Sequence, residues 1–360
     1  MLGKLFQVSF FGESHGKCVG VIIEGCPPGI KVSIEEINSE LEKRKPGSSI
    51  YVSPRKEEDK VEILSGIFNN FTTGFPVSLV VYNKDVVSSF YEKIRNTPRP
   101  SHADYVATIK YFGYNDYRGG GIFSGRLTLP MVIAGYFAKK ILNKYGIEIY
   151  SYLKSVGPYE CNPSIEEVKE NTYKSPLRFP DLSKIEEIEK YLIDIIKEGD
   201  TVGGIIETIA LNLPVGLGEP PIDTLDGDLA KALFAIPAVK GVEFGSGFKL
   251  AKMKGSEAND PYAIKDGKII TLKNNSGGIL GGISNGMPLI HRVVLKPASS
   301  IRKKQKTVDL EKMEETEIVV EGRHDPCIAI RAVPVVESVT AIVLADHLLR
   351  WLSWKKLLEK

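Results

Sequence analysis

The sequence predicts an α+β fold in one large domain covering residues 1–360. Three observations favour this class: apolar runs near the N-terminus that pair like hairpin strands, long stretches with a helical period, and no strict alternation of strands and helices. A chain of this length forms either one large domain or two closely associated ones, and we predict the first.

The N-terminal part is predicted to form two strands joined by a glycine-bounded loop. Apolar or β-branched runs at 5–11 and 18–24 flank the loop sequence Gly12-Glu-Ser-His-Gly16. Farther along, Ser33 is followed three residues later by Glu36, which is the spacing of a capping box. This pattern predicts the start of a helix.

The remaining helices and strands are predicted from the periodicity of their apolar residues and from the glycines and prolines that end them. The helix after Ser33 is predicted to end near Arg44, where basic residues precede a Pro-Gly pair. The other expected bounds are strands at 61–68, 77–82, 205–213 and 292–295, a polar turn at 69–74, and helices at 125–145, 183–198 and 334–360.

A triple glycine, Gly119 to Gly121, precedes the first long helix. The stretch 120–128 partly matches a nucleotide-binding P-loop, but Arg126 and Leu127 stand where that motif needs Lys and Ser or Thr. A phosphotransferase is therefore disfavoured. What remains is a loop whose backbone N–H groups can hold an anion at the N-terminus of a helix.

Residues 249–275 mix Lys, Gly, Asn, Asp and Ser with little period and lead into the glycine-rich run 277–282. This composition is typical both of a flap that closes on a ligand and of an idle surface loop, and the two alternatives stay open. The glycine run would let a flat aromatic ring lie against bare backbone.

The composition excludes several classes of protein. Apolar residues make up 42% of the chain and charged residues 26%, which is ordinary for a soluble globular protein. The net charge of +2 gives no overall field for nucleic acid or an anionic membrane. The longest apolar runs, near 130–138 and 339–345, are shorter than the roughly 20 residues that span a bilayer. We predict buried helices there, and no nucleic-acid or membrane partner.

Cysteine usage predicts a reducing compartment. The chain contains no Cys-x-x-Cys pair, and no secretory apolar segment follows Met1. We therefore predict a cytoplasmic protein. The cysteines are Cys18, Cys26, Cys161 and Cys327.

Three of the five histidines stand in polar loops beside a hydroxyl or a carboxylate and are candidate proton carriers. They are His15, His102 and His324. Imidazole is the only side chain whose unperturbed charge changes near neutral pH. A lone histidine is more often structural, but the glycine and proline flanks here favour an acid–base role. His291 and His347 lie in apolar surroundings and are predicted to be structural.

Asp325 opens a turn between His324 and Pro326. Its carboxylate either orients a base, acts as one, or caps the turn. A metal site built from His324, Asp325 and Cys327 lacks a matching ligand pair at zinc spacing. We therefore predict no metal.

Four arginines beside glycine or proline turns predict a polyanionic small-molecule ligand. Their planar guanidinium suits bidentate contact with phosphate or carboxylate, whereas a solvated surface uses Lys as readily. The segment 296–300 adds hydroxyl and N–H groups for a phosphate or a polar ring. The arginines are Arg44, Arg118, Arg126 and Arg323.

The order of these motifs resembles the chorismate synthase family from end to end. The matching blocks are Phe11-Gly-Glu-Ser-His-Gly16, Pro46-Gly-Ser-Ser49, Val61-Glu-Ile-Leu-Ser-Gly66, His102-Ala-Asp104, Tyr117-Arg-Gly-Gly-Gly121, Gly216-Leu-Gly-Glu-Pro220, Ala238-Val-Lys-Gly-Val-Glu-Phe-Gly245, Gly277-Gly-Ile-Leu-Gly-Gly-Ile-Ser284, Gly322-Arg-His-Asp-Pro-Cys327 and Arg331-Ala-Val-Pro334.

The resemblance implies a β-α-β sandwich of antiparallel sheets and helices, usually in a homotetramer. It also implies a lyase that converts 5-enolpyruvylshikimate 3-phosphate to chorismate and phosphate, the last common step of the shikimate pathway. The reaction is a 1,4-anti elimination that requires reduced FMN without net redox change. NADPH would enter only as an external reductant.

The resemblance also implies roles for individual residues. His15 would protonate the departing phosphate, with Ser14 beside it in a proton relay. His102 would protonate the reduced flavin. Asp325 would help flavin N5 accept the proton lost from C6, and Ser124 would complete the relay.

Substrate contacts are implied for Arg44, Arg126, Arg323 and His15. The implied flavin-binding residues are Ile122, Phe123, Ser124, Pro237, Ala238, Gly281, Lys296, Pro297, Ala298, Ser299, Ser300 and Arg323.

The chain departs from the commonest family pattern at three places, one of which is an extra residue between His102 and the triple glycine. Ile122 and Phe123 follow the triple glycine where many members have Arg and Ser, so flavin contacts there are limited to backbone and apolar groups. Ile50 stands where an Arg often does, which argues against direct binding of a pyridine nucleotide, and no dinucleotide fingerprint replaces it.

A noncatalytic homologue that binds FMN or a phosphometabolite is the alternative from another class. Retention of His15, His102, Ser124 and Asp325 favours the enzyme, because a protein that has lost the chemistry has no reason to keep all four.

Overall fold

The computed structural model describes residues 1–45, 59–84, 88–320 and 325–358. The helices are α1 (Ile34–Arg44), α2 (Ser89–Lys93), α3 (Asp104–Lys110), α4 (Thr128–Asn143), α5 (Ile165–Asn171), α6 (Ile185–Lys197), α7 (Leu225–Phe234), α8 (Gly255–Ala258) and α9 (Ala329–Leu358). Short 3-10 turns cover Arg118–Phe123, Gly125–Leu127, Leu182–Lys184 and Gly247–Lys252.

The strands are short and antiparallel. They are β1 (Gln7–Gly12), β2 (Cys18–Glu24), β3 (Val61–Ser65), β4 (Ile67–Phe68), β5 (Phe71–Thr72), β6 (Val77–Tyr82), β7 (Glu148–Val156), β8 (Tyr159–Glu160), β9 (Gly204–Leu211), β10 (Val239–Phe244), β11 (Tyr262–Lys265), β12 (Lys268–Thr271), β13 (Ile279–Leu280), β14 (Ile283–Ser284), β15 (Leu289–Leu295), β16 (Gln305–Asp309) and β17 (Glu314–Ile318).

Two sheets enclose a layer of helices. A four-stranded sheet has the order β1-β2-β6-β3, and a five-stranded sheet has the order β10-β15-β9-β7-β8. Helix α4 packs against β2 of the first sheet, α9 packs against β7 and β9 of the second, and α4 and α9 pack on each other. This sheet–helix–sheet arrangement confirms the predicted α+β sandwich. The single domain over 1–360 stays a prediction.

The helices between the sheets are apolar on all sides because both of their faces are covered. In α4 every residue from Thr128 to Ala138 is buried. A Cβ added to Gly135 of α4 would lie 2.3 Å from Cβ of Ser338 in α9, so the glycine permits the close approach of the two helices. Helix α9 is long and apolar enough to cross a membrane, but 94% of its most apolar window is buried inside the protein.

Several predicted boundaries were wrong for physical reasons. Helix α9 begins at Ala329 rather than at 334, so Pro334 lies inside it. The missing N–H of Pro334 costs one helical hydrogen bond, which burial of the preceding turn outweighs. The predicted strand at 61–68 breaks at Gly66, whose φ is +84°, and β4 then pairs with β5 inside the predicted polar turn.

The capping box predicted for α1 forms only in half. The Ser33 hydroxyl accepts from the Glu36 N–H, as predicted. The Glu36 carboxylate does not return to the cap; it accepts instead from the Tyr136 hydroxyl at 2.6 Å. A partner from α4 therefore replaces the local hydrogen bond.

Residues 249–275 contain regular structure. The hairpin of β11 and β12 lies within them, and Asp260 anchors its base by accepting from the backbone N–H groups of Asn275 and Ser276 at 2.8 and 2.9 Å. Both alternatives for the segment, a flap that closes on a ligand and a surface loop, stay open.

Candidate active site

The triple-glycine turn lies between the imidazoles of His15 and His102. A Cβ added to Gly119 would lie 2.3 Å from Cδ2 of His15, and one added to Gly120 would lie 3.2 Å from Cε1 of His102. The φ angles of Gly119, Gly120 and Gly121 are +61°, +84° and +53°, which only glycine adopts easily. The loop predicted to bind an anion therefore brings two of the three candidate proton carriers to one site.

A pair of serine hydroxyls lies beside His15. The Ser124 hydroxyl donates to Oγ of Ser14 at 3.1 Å, and the Ser14 N–H donates to the Gly121 carbonyl at 3.3 Å. On the other side of the ring, Nδ1 of His15 lies 3.0 Å from Oγ of Ser88. The predicted relay residues are thus adjacent. Ser88 lies in no motif and was therefore not predicted.

The loop that carries His15 is closed by Asn83. Its side-chain amide donates to the carbonyls of Glu13 and Gly16 at 3.0 and 2.8 Å, and its Oδ1 accepts from Nε of Arg126 at 3.0 Å. Asn83 therefore connects the histidine loop to an arginine that was predicted to bind substrate. It follows a plain β-strand and was not predicted.

His102 lies in a compact polar cluster. Its Nδ1 is 2.6 Å from Oδ1 of Asp104, which Arg99 holds through two side-chain hydrogen bonds of 2.8 Å. Ser101, with a φ of +59°, turns the chain so that these three side chains meet. Arg99 and Asp104 were not predicted as functional residues.

The segment 296–300, predicted to bind flavin, packs on the loop of His102. The Ser101 carbonyl accepts from Nζ of Lys296 and, at 3.0 Å, from the Ser299 hydroxyl. The Lys296 N–H donates to the Ala238 carbonyl at 3.0 Å, and the Ala298 carbonyl accepts from Thr201. These predicted cofactor residues are therefore hydrogen-bonded to the loop that carries His102.

The residues around the glycine turn and the segment 296–300 have the chemistry that a flavin nucleotide needs, since this cofactor combines a flat apolar ring with a phosphate. Ile122 and Phe123 are apolar yet 46% and 37% exposed beside the glycine turn, so they can cover a ring. Burial and the positive charge of Lys240 lower the pKa of Lys296. An anion bound beside these two lysines would be stabilised, because it would compensate for their repulsion.

Gly281 is not joined to the glycine turn or to the segment 296–300 by any hydrogen bond among the described residues. Its neighbour Gly282 accepts from the Leu225 N–H at the N-terminus of α7, whereas Ala238 lies beyond the other end of this helix. A ten-residue helix is about 15 Å long. The role of Gly281 stays a prediction.

A second cluster consists of three arginines. Arg44 is buried and donates from Nε to Oγ1 of Thr128 at 2.6 Å and from Nη2 to the Gly125 carbonyl at 2.7 Å. Burial and the nearby positive charge of Arg331 lower the pKa of Arg44 to about 9, and the charge of Arg126 acts in the same direction.

Among the described residues, two carboxylates contact these cations. Arg126 contacts Oδ1 of Asp59 at 2.5 Å, and Nη1 of Arg331 contacts Oδ2 of Asp325 at 2.9 Å. The buried Nε of Arg331 has no hydrogen-bond partner among the described residues. The unpaired Nε of Arg331 and the lowered pKa of Arg44 both favour an anion-binding site here.

Arg331 was missed as a binding residue because its helix was predicted to start later. Asp325 belongs to the arginine cluster, because its carboxylate pairs with Arg331. Its predicted role toward the flavin stays a prediction. Arg118 does not join the cluster, since it pairs with Asp116 through two contacts of 2.8 Å. The predictions for Arg323 and His324, and the motif residues 46–50, fall outside the described residues.

The other two histidines lie in the core, as predicted. Nε2 of His291 is 2.9 Å from Oγ1 of Thr340, and Nε2 of His347 is 3.0 Å from Oδ2 of Asp228. Both imidazoles are almost fully buried, so neither faces the glycine turn as an exposed proton carrier.

Comparisons with known proteins identify the family. A family model described as chorismate synthase matches residues 6–349. Chorismate synthases of Thermococcus gammatolerans and Thermococcus kodakarensis are 54% and 56% identical to this chain, over 99% of both sequences in each case. A crystal structure of a chorismate synthase is similar with a TM-score of 0.77 at 32% identity, covering 97% of this chain and 93% of that one. The resemblance seen in the motifs is thereby confirmed: the chain belongs to the chorismate synthase family.

Proposed function

We propose that the protein converts 5-enolpyruvylshikimate 3-phosphate to chorismate and phosphate by 1,4-anti elimination, with reduced FMN as cofactor. One observation carries the proposal: His15 and His102 both lie beside a single glycine turn, and Asn83 joins the loop of His15 to Arg126 of the arginine cluster. Membership of the chorismate synthase family supports the same reaction.

The arginine cluster suits the charge of this substrate. Its phosphate and carboxylates need several cationic donors, and Arg44, Arg126 and Arg331 provide them around the N-terminus of α4. Because burial and Arg331 lower the pKa of Arg44, its charge is costly until an anion compensates for it. Substrate binding would therefore relieve repulsion among these three side chains.

Proton transfer is assigned to the two loop histidines. His15 protonates the departing phosphate, and the Ser14–Ser124 pair passes protons beside it. Ser88, which contacts Nδ1, leaves Nε2 of His15 as the nitrogen over the glycine turn. His102 is the proton donor toward the flavin at the same turn. Asp325 assists removal of the proton from C6 of the substrate.

FMN would be held by the segment 296–300 with Pro237, Ala238, Ser124 and the apolar pair Ile122 and Phe123. Reduced FMN would supply reducing equivalents that are returned by the end of each cycle, so the reaction has no net redox change. NADPH acts only as an external reductant. We further propose a cytoplasmic homotetramer without nucleic-acid or membrane partners.

The direct test is an anaerobic assay with chemically reduced FMN and 5-enolpyruvylshikimate 3-phosphate. Chorismate absorbance and phosphate should appear together, and neither should appear with oxidised FMN. Flavin binding without product under these conditions would overturn the lyase and leave the noncatalytic binding protein.

The two histidines give a sharper test of the site. We expect His15→Ala and His102→Ala each to lower kcat by about 10²-fold or more, because each removes a positioned proton carrier. Unfolding midpoints close to that of the wild type would establish that the fold is retained. A variant with wild-type kcat would remove that histidine from the mechanism.

A further inference from the structure

We infer that Asp104, supported by Arg99, is a positioning residue that places the proton of neutral His102 on Nδ1 and leaves Nε2 free to exchange a proton at the glycine turn. The inference deepens the proposed function, since it rests on the role given there to His102. Asp104 itself contacts neither the glycine turn nor the predicted flavin residues in any hydrogen bond among the described residues.

Three hydrogen bonds from Arg99 hold the Asp104 carboxylate in place. Oδ2 accepts from Nε and from the backbone N–H of Arg99 at 2.8 and 3.0 Å, and Oδ1 accepts from Nη2 at 2.8 Å. Arg99 is only 6% exposed, whereas Asp104 and His102 are 20% exposed. A bidentate pair of this kind restricts both distance and direction, so the carboxylate cannot easily turn away from the imidazole.

The carboxylate is ionised at neutral pH. Burial alone would raise the pKa of Asp104, but the hydrogen bonds from Arg99 and His102 outweigh it and hold that pKa well below its usual range. Asp104 therefore accepts hydrogen bonds and donates none.

Two neighbours compete for Nδ1 of His102. Oδ1 of Asp104 lies at 2.6 Å and Nη2 of Arg99 at 3.1 Å. A guanidinium only donates, so contact with Arg99 would require a bare Nδ1, whose lone pair would then face a carboxylate oxygen. A hydrogen on Nδ1 instead makes the shorter, charge-assisted bond to Asp104. The geometry therefore selects the Nδ1–H tautomer.

Nε2 then becomes the nitrogen that gains and loses a proton. A Cβ added to Gly120 would lie 3.4 Å from Nε2, so the glycine keeps this side of the ring open. When Nε2 is protonated, Asp104 stabilises the imidazolium while Arg99 balances the carboxylate charge. Other polar groups also lie around the loop. Lys296 and Ser299 both donate to the Ser101 carbonyl, the Ser300 hydroxyl accepts from Nη1 of Arg99 at 3.3 Å, and the ring of Tyr91 lies 5.6 Å from the Arg99 guanidinium carbon.

A purely structural role predicts a different outcome. Asp104 is the first residue of α3, so it could serve only to hold the helix start and the 99–104 loop. Removing its charge would then lower stability without changing the state of the His102 ring. The tautomer of His102 separates the two roles.

The experiment is ¹⁵N NMR of imidazole-labelled full-length protein without substrate, with the His102 signals assigned by His102→Gln. In the wild type at a pH where the ring is neutral, we expect Nδ1 to carry the hydrogen and Nε2 to be bare. Asp104→Asn should move the population toward Nε2–H, while Asp116→Asn should leave the His102 signals unchanged. Asp116 is the matched control because it forms a similar bidentate pair with Arg118.

Kinetics provides a second readout. Asp104→Asn should lower kcat by about 10²-fold with little change in KM, because a misplaced proton removes acid–base catalysis and not binding. Asp104→Glu, which keeps the charge, should recover part of kcat.

The possible results are distinguishable. A wild-type His102 that carries its hydrogen on Nε2, or an Asp104→Asn tautomer equal to the wild type, overturns the inference even if the protein makes chorismate. Absence of chorismate overturns the proposed function and leaves the NMR result standing. Should Asp104→Asn fail to fold, the wild-type tautomer alone decides.

Discussion

At the scale of single residues, burial decides which histidines can exchange protons. His15 and His102 lie in polar loops, but His291 is fully buried and contacts Thr340. The Thr340 hydroxyl donates to the Val336 carbonyl at 2.8 Å, so its oxygen must accept from Nε2–H of His291. Nδ1 has no hydrogen-bond partner among the described residues. Burial and the charge of Arg292 lower the pKa of His291 to about 3, which keeps it neutral.

The low pKa of His291 predicts that the folded protein loses stability in mild acid. The unfolded chain takes up a proton at this residue near pH 6.5, whereas the folded protein does so only near pH 3. The unfolded state therefore binds more protons between these values, and the contribution that is complete above pH 6.5 is lost as the pH falls. Its slope is about 1.4 kcal/mol per pH unit.

We expect His291→Met to flatten the pH dependence of the free energy of unfolding by about that slope between pH 6 and pH 4. Urea unfolding at several pH values measures it. Thr340→Val serves as the control, because it keeps the buried imidazole and should keep the slope. An unchanged slope in His291→Met would show that other groups cause the acid sensitivity.

At the scale of elements, the glycine turn shows why a short motif can organise a site. Its backbone occupies the left-handed region at consecutive positions, and its missing side chains leave room for both imidazoles. Gly119 is the tightest position: an added Cβ would lie 2.3 Å from Cδ2 and 2.5 Å from Nε2 of His15. Such distances force the ring to move.

Gly119→Ala is therefore expected to lower kcat by about 10²-fold, the effect of misplacing one proton carrier. The positive φ adds strain of about 1–2 kcal/mol, which unfolding experiments would detect. Gly255→Ala is the control, since its Cβ would have nothing within 4 Å and its φ is ordinary. Full activity in Gly119→Ala would mean that His15 does not need its position over the turn.

At the scale of the whole molecule, a buried carboxylate of α9 holds the N-terminal segment in place. Oδ1 of Asp346 accepts from the backbone N–H groups of Lys4, Leu5 and Phe6 at 2.8, 2.7 and 2.9 Å. Strand β1 starts directly after Phe6 and leads into the loop of His15. The C-terminal helix α9 therefore helps to position the loop of His15 by holding the N-terminal segment that leads into it.

We expect Asp346→Ala to lower the free energy of unfolding by about 3 kcal/mol or more, because buried N–H groups lose their acceptor. Urea denaturation measures the change. Asp194→Ala on α6 is the control: its carboxylate is 64% exposed and pairs with Lys197, and exposed pairs contribute about 0–1 kcal/mol. Equal effects of the two substitutions would contradict the anchoring role.

The parts of the site that could be predicted are those encoded in consecutive residues. The loop of Ser14 and His15, the triple glycine and the cap at Ser33 depend on turn chemistry, which neighbours along the chain determine. Sequence order also sufficed to identify the family, because many motifs occur in the same succession.

The α+β class, most of the elements and the loop histidines His15 and His102 could be predicted from the chain alone, because backbone preference and apolar period act over a few residues. Three features became apparent only in the folded protein: Gly119 lies against His15, Arg331 joins Arg44 and Arg126, and α9 continues through Pro334. Each of these depends on burial, distance and charge between segments far apart along the chain, and packing can outweigh a local preference.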